Sequence, residues 1–279
     1  VTNTEAGPVF YSASVGSMGW ACYNAGENDT IVFDFSGKGT KEIQGMDYFV
    51  TNAFVDGSTY ADTIILHGLE CRNVNKIVSQ NSTKGNGFYI SEKMTNCIAR
   101  GNSIGILIKE TCVIENCIVE RNSIAGISYA NSKYGVVIKK TVVRDNKVGI
   151  ESPASLIENC EIVNNNIGVS MHSNNYNVDT IRGCLISGND IGIDGDVIVI
   201  EDNIIGLSKD QKQAMPNGTG IISGKYVATK KIINNVIAGN INNGVSYNGH
   251  TFPEFTNNYV GTNSYLDINP SLGNGENGL

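Results

Sequence analysis

The chain has 279 residues, a net charge of -7 and no run of Lys or Arg able to neutralise phosphates, which excludes a nucleic-acid partner. At 41% hydrophobic it is too apolar for a disordered chain, yet no apolar run approaches the ~18 residues of a membrane span. With 32 Gly, abundant Asn and only 5 Pro, it suits short strands joined by tight turns better than helices.

Residues 1–60 lack the repeat that governs the rest and read as an N-terminal cap with first strands. Val15, Met18 and Cys22 sit at roughly helical spacing inside Ser12 to Asn24, and Asp29 to Ser36 alternates as a strand. Asp62 to Val74 then reads as a loose first turn of a repeat that fills 61–279, with Leu66, Leu69 and Cys71 in apolar slots.

From Gly87 the frame is strict, as in Ile157-Glu-Asn-Cys-Glu-Ile-Val-Asn-Asn-Asn-Ile-Gly-Val169, and it recurs at intervals of about two dozen residues. The first apolar slot holds Met94, Ile114, Ile138, Ile157, Ile181, Ile200, Ile232 and Phe255. Three places on come Cys97, Cys117, Thr141, Cys160, Cys184, Asn203, Asn235 and Asn258. The next apolar slot holds Ala99, Val119, Val143, Ile162, Ile186, Ile205, Ile237 and Val260, and the slot after it Asn102, Asn122, Asn146, Asn165, Asn189, Ser208, Asn240 and Asn263. Two insertions interrupt the frame, at 131–136 and 209–219. Gly273 to Leu279 reads like the approach to another turn, so repeats are expected to continue past it.

No stretch between the short period-two runs is long enough for a crossover helix, which leaves parallel stacking of whole turns. The expected fold is all-β, a single-stranded right-handed parallel β-helix of roughly nine to eleven turns. Apolar slots would stack into one core, and the Asn slots into a ladder of amides whose residues can adopt left-handed backbone angles. Four of the 7 cysteines share one slot, so position explains them better than pairing. Side chains in register on parallel neighbours point the same way, which suits disulfide geometry poorly, and they are expected as core thiols.

These repeats resemble the right-handed β-helix proteins of the pectate-lyase-like superfamily over about Ile64 to Asn263, and Asn203-Ile-Ile-Gly and Asn258-Tyr-Val-Gly-Thr-Asn look like turns of large secreted bacterial or phage β-helix proteins. The resemblance implies a secreted or surface protein with a polysaccharide or other glycan as partner. The superfamily includes lyases, hydrolases, epimerases, tailspikes and adhesins, so the shared architecture does not choose among them. A homotrimer, or a stretch of a longer surface protein, is the setting it implies.

Polysaccharide-active members place their sites on the sheet that follows the repeat Gly. There the second place is filled by Tyr89, Leu107, Ser128, Glu151, Ser170, Asp194, Ile222 and Ser246, and the fourth by Ser91, Lys109, Ala130, Pro153, His172, Asp196, Gly224 and Asn248. Alternation turns both columns to solvent. Glu151, His172, Asp194 and Asp196 are therefore the candidate catalytic residues, with Asp194 and Asp196 able to hold Ca2+ beside a uronate; no cofactor is otherwise required. Glu151 and Asp194 lie two turns apart, roughly 10 Å at ~4.8 Å per turn, slightly beyond the ~6.5–9.5 Å of an inverting pair. The same residues also suit a merely solvated sheet face. Lys109, Tyr89, Tyr134 and Asn248 are candidate glycan contacts, and Tyr176, Tyr226 and Tyr265 further exposed rings. No Asp-Asp pair or Arg-x-Lys of the polygalacturonases is present, and Tyr134-Gly135 continues as Val-Val rather than as the alginate-epimerase signature. A non-catalytic adhesin, stalk or spike segment is the reading these absences favour, with a polysaccharide lyase or glycoside hydrolase as the alternative.

Overall fold

In the computed structural model the chain is all-β, 3% helical, and its parallel strands stack as a β-solenoid of about 10 turns in all. The structure describes residues 1–2, 17–43, 48–82, 85–130, 135–151, 153–171, 178–224, 229–262 and 272–275. The chain divides into two compact units, Val1–Asn131 and Ser132–Leu279.

Each unit is built from three parallel ladders, because the apolar slots of successive turns fall in register. In the first unit, Phe49, Leu69, Phe88, Ile106 and Ile127 pair in sequence along the first ladder. Ile31, Val55, Val74, Met94 and Ile114 do so along the second. The third runs through the strands Lys41–Glu42, Ile64–Leu66, Val78–Gln80, Ile98–Arg100 and Ile118–Glu120. In the second unit the first ladder aligns Ile150, Val169, Ile193, Ile221 and Val245. Its second ladder aligns Ile138, Ile157, Ile181, Ile200, Ile232 and Phe255, and its third Val143, Ile162, Ile186, Ile205, Ile237 and Val260. The two apolar slots of the repeat thus become the second and third ladders. All but Phe255 and Val260 in those two slots are buried. Each buried Ile or Leu removes enough apolar area to stabilise by about 1.5–3 kcal/mol relative to an exposed one.

Parallel pairing begins earlier than the repeat frame, since Thr30–Val32 already pairs with Phe54–Asp56 and Lys41 with Ile64. Ahead of it, a helix forms over Met18–Asn24, the later part of the segment with helical spacing, started by Ser17, whose hydroxyl accepts the Trp20 N–H at 3.2 Å. Val15 and the rest of the stretch from Ser12 to Gly16 lie outside the described residues.

The corners are fixed by hydrogen bonds to backbone. In the second unit Asn146, Asn165 and Asn189 each donate their own N–H to the Oδ1 of the asparagine one turn on, at 3.0, 2.9 and 3.0 Å. The third acceptor is Asn217, not Ser208. The insertion after Leu207 places nine residues between frame and slot, and Ser208 instead ties that loop by bonding Asp210 and the Gln213 N–H. Asn274 likewise replaces Asn263, accepting the Asn240 N–H at 3.2 Å; Asn263 lies outside the described residues. The left-handed angle expected at the ladder asparagines falls on the residue before them, as at Asp145 (φ 57) and Asn164 (φ 57). That residue turns the chain and leaves the ladder amide free to point inward. Cys and Asn interchange at the other corner because both place an acceptor opposite a backbone N–H. Cys160 N–H meets Cys184 Sγ at 3.4 Å, and Cys184 N–H meets Asn203 Oδ1 at 2.9 Å.

The repeat glycines have a packing reason. A Cβ on Gly168 would lie 2.5 Å from the Gly192 carbonyl oxygen and 3.2 Å from Asn189 Nδ2, and Gly149, Gly192 and Gly220 are placed alike. The amide ladder occupies the space a side chain would need.

Candidate functional site

In the second unit the outward column of the first ladder runs as the alternation implies. Ile150 pairs with Val169, which sets Glu151 beside Ser170, and Ser170 pairs with Asp194. Glu151 and Asp194 are therefore two turns apart, and Glu151 is half-buried.

The solvent exposure expected for the two aspartates is overturned. Asp194 is 5% exposed and Asp196 4%. Asp196 sits in the turn between Ile191–Asp194 and Val197–Glu201 and accepts the Gly224 N–H at 2.6 Å and the Ser223 hydroxyl at 3.2 Å, so it ties down the corner of the next turn. Asp194 also holds an interaction within the fold. A carboxylate withdrawn from water and engaged by its own chain is placed for structure, as buried polar groups require. His172 lies outside the described residues, as do Tyr134, Tyr176, Tyr226 and Tyr265. Asn248 is exposed, just past the strand Val245–Tyr247, with its backbone N–H on the Ser223 carbonyl at 2.9 Å. Among the described residues no group of three or more His, Cys, Asp or Glu side chains is placed to hold a metal ion.

In the first unit the corresponding column reads Glu70, Tyr89, Leu107 and Ser128 in register. Lys109, two residues beyond Leu107, reaches back over this column. Its Nζ lies 5.4 Å from the Tyr89 ring centroid and 3.1 Å from Glu70 Oε1. The hydrogen bond and charge of Glu70 raise the Lys109 pKa above its ordinary value, and the ring beneath favours the same cationic form. Tyr48 joins the group, its phenol pushed well up by burial and then by the neighbouring Glu70 and Tyr89. Beside it, Arg72 bonds both Glu27 and Glu92, and the Glu92 pKa is lowered by the Arg72 and Asn73 hydrogen bonds.

The sequence pointed to Tyr89 and Lys109 but not to Glu70 or Tyr48, which precede the strict frame; only the loose turn from Asp62 could have carried the column back to Glu70. The arrangement presents a half-buried aromatic ring with a paired cation and carboxylate over it, so a sugar would meet the uncovered part of the ring with its apolar face and the ion pair with its polar substituents.

All seven cysteines are free thiols. No described helix is long and apolar enough to cross a membrane. No protein-family model, curated protein or solved structure matches this chain.

Proposed function

We propose that the protein is an extracellular or cell-surface module that engages polysaccharide without cleaving it, as an adhesin, stalk or spike segment does. The observation that carries this reading is the Tyr89 ring with the Lys109 ammonium above it and Glu70 alongside, on the outer face of the first ladder. The burial of Asp194 and Asp196 supports binding over catalysis, because an acid or base must reach a substrate proton. We also place the chain with the right-handed β-helices of the pectate-lyase-like superfamily; the repeat frame and the three ladders support that placement.

The test is a panel of uronic-acid and neutral polysaccharides scored for both retention and product. Retention with no unsaturated or new reducing ends is expected. Product formation that disappears in Asp194→Ala would make the protein a lyase or hydrolase instead.

A further inference from the structure

The second ladder of the first unit carries a feature that the Tyr89 face does not use. A cleft of about 540 Å3 opens on its outer side, lined by Phe54, Asn73, Lys93, Thr95, Asn96 and Asn116 among others. That volume falls within the ~300–1,000 Å3 usual for small-ligand sites. Register explains why these side chains meet. Phe54, Asn73 and Lys93 pair in sequence as one outward column, and Asp56, Asn75 and Thr95 as the next, while Val55, Val74 and Met94 between them are buried in the core. Asn96 and Asn116 stand at the adjoining corner in the left-handed conformation, with φ 54 and 55, which turns both exposed amides toward the cleft rim.

Part of this polar surface is spent within the fold. Asn75 donates to Asp56 and accepts from Thr95 and Asn96, and Asn73 donates to Glu92. The Lys93 ammonium and the Asn116 amide have no side-chain partner among the described residues, and Asn73 and Asn96 each keep an unused amide oxygen. The cleft therefore offers a half-buried aromatic ring at one end and, across the following turns, amide groups that both donate and accept. Hydroxyls are the ligand groups that match such two-way partners. The turns repeat at ~4.8 Å, about the length of one pyranose, so a sugar chain laid along the ladder would meet the next side chain of a column with each unit, and the Asn96 and Asn116 amides at successive corners. Lys93 is the only cation among the described residues lining the cleft, and around it the charges are near balance, with Arg72 bonded to Glu92 and Lys76 acting on Asp56, so no net positive field selects an acidic sugar.

We infer that this cleft is a second glycan subsite, separate from the Tyr89 face, that takes a neutral pyranose chain, its ring on Phe54 and its hydroxyls on Asn73, Lys93, Asn96 and Asn116.

The experiment is calorimetric titration of the full chain with gluco-, manno- and malto-hexaose, and with hexagalacturonate, in a Tyr89→Ala/Lys109→Ala background that removes the other face. Binding of at least one neutral hexaose is expected to persist there, to exceed that of hexagalacturonate, and to weaken about ten-fold in Phe54→Ala and in Asn96→Gly/Asn116→Gly. The glycine pair removes both amides while tolerating the left-handed backbone, so it reads the site even if Phe54→Ala disturbs the fold. No neutral hexaose binding, stronger hexagalacturonate binding, or cleft variants that bind as tightly as their background would each overturn the subsite. Binding that is present in the wild type but lost entirely in the Tyr89→Ala/Lys109→Ala background would overturn it too, while leaving the first-ladder reading standing.

Discussion

Asn189 accepts the backbone N–H of Asn165 at 2.9 Å, and Asn165 Nδ2 donates to the same oxygen at 3.1 Å. Asn165 also donates to the carbonyls of Val143 and Val163. One side chain thereby joins three consecutive turns at a buried corner. Replacing it by Ala takes their shared acceptor from the Asn146 N–H and the Asn146 side-chain amide and removes one of the bonds on the Val143 carbonyl, and a buried unmet group costs about 1–3 kcal/mol. Asn165→Ala is therefore expected to lower the free energy of unfolding by about 3 kcal/mol, read by urea denaturation. A loss indistinguishable from that of an exposed asparagine would mean the ladder is not load-sharing.

Gly168→Ala tests the same corner from the other side. The new methyl would meet the Gly192 carbonyl, a backbone atom that cannot swing away, and overpacking of this kind costs about 1–3 kcal/mol. Gly26 is exposed and faces an ordinary 3.5 Å contact, so Gly26→Ala is the control and is expected to change the melting temperature little.

The thiols should be protected in the native state. Burial pushes Cys71 and Cys97 well above the ordinary thiol value and raises Cys22 and Cys112 to about 12. Alkylation requires the thiolate, so at pH 8 these four should react far more slowly than a free cysteine. After denaturation without reductant, all 7 cysteines should titrate. A smaller number would reveal a disulfide and contradict the stacked-thiol arrangement.

Acid should loosen the first unit through Glu92. Its folded pKa lies below the unfolded value of ~4.3, so its ion pair with Arg72 stabilises above that pH and the stabilisation is lost as pH falls through the folded pKa. The carboxyl carbon of Glu92, followed by NMR, should titrate below the ordinary glutamate midpoint in the wild type and move up toward it in Arg72→Gln. An unchanged midpoint would show that Arg72 is not the cause. Both side chains are partly exposed, so added salt should shrink the difference.

The ladders were legible residue by residue because an apolar slot has one use, and Ile157 or Ile186 has nowhere to go but the core. The amide ladder was legible only where spacing held. Counting from Ile205 lands on Ser208, whereas the signal that survives the insertion is Asn-x-x-Gly, shared by Asn165 with Gly168, Asn189 with Gly192 and Asn217 with Gly220. Asp194 and Asp196 show the limit of alternation. Period two states which face a side chain leaves from, and it was right that Asp194 shares a column with Ser170. It is silent on what then engages that side chain, and the bonds from Gly224 and Ser223 to Asp196 come from a turn 28 and 27 residues away. Tyr48 and Glu70 escaped notice for a related reason, since they lie before the frame becomes strict.

The most direct test of the account is equilibrium binding of a polysaccharide retained by the wild-type chain, compared with Tyr89→Ala, Lys109→Ala and the double variant, with the same samples assayed for cleavage products. Each single variant should weaken binding, the double variant by about ten-fold or more, and no product should accumulate. Affinity unaffected by all three variants, or accumulation of cleaved product by the wild type, would contradict a binding module that works through the Tyr89 face.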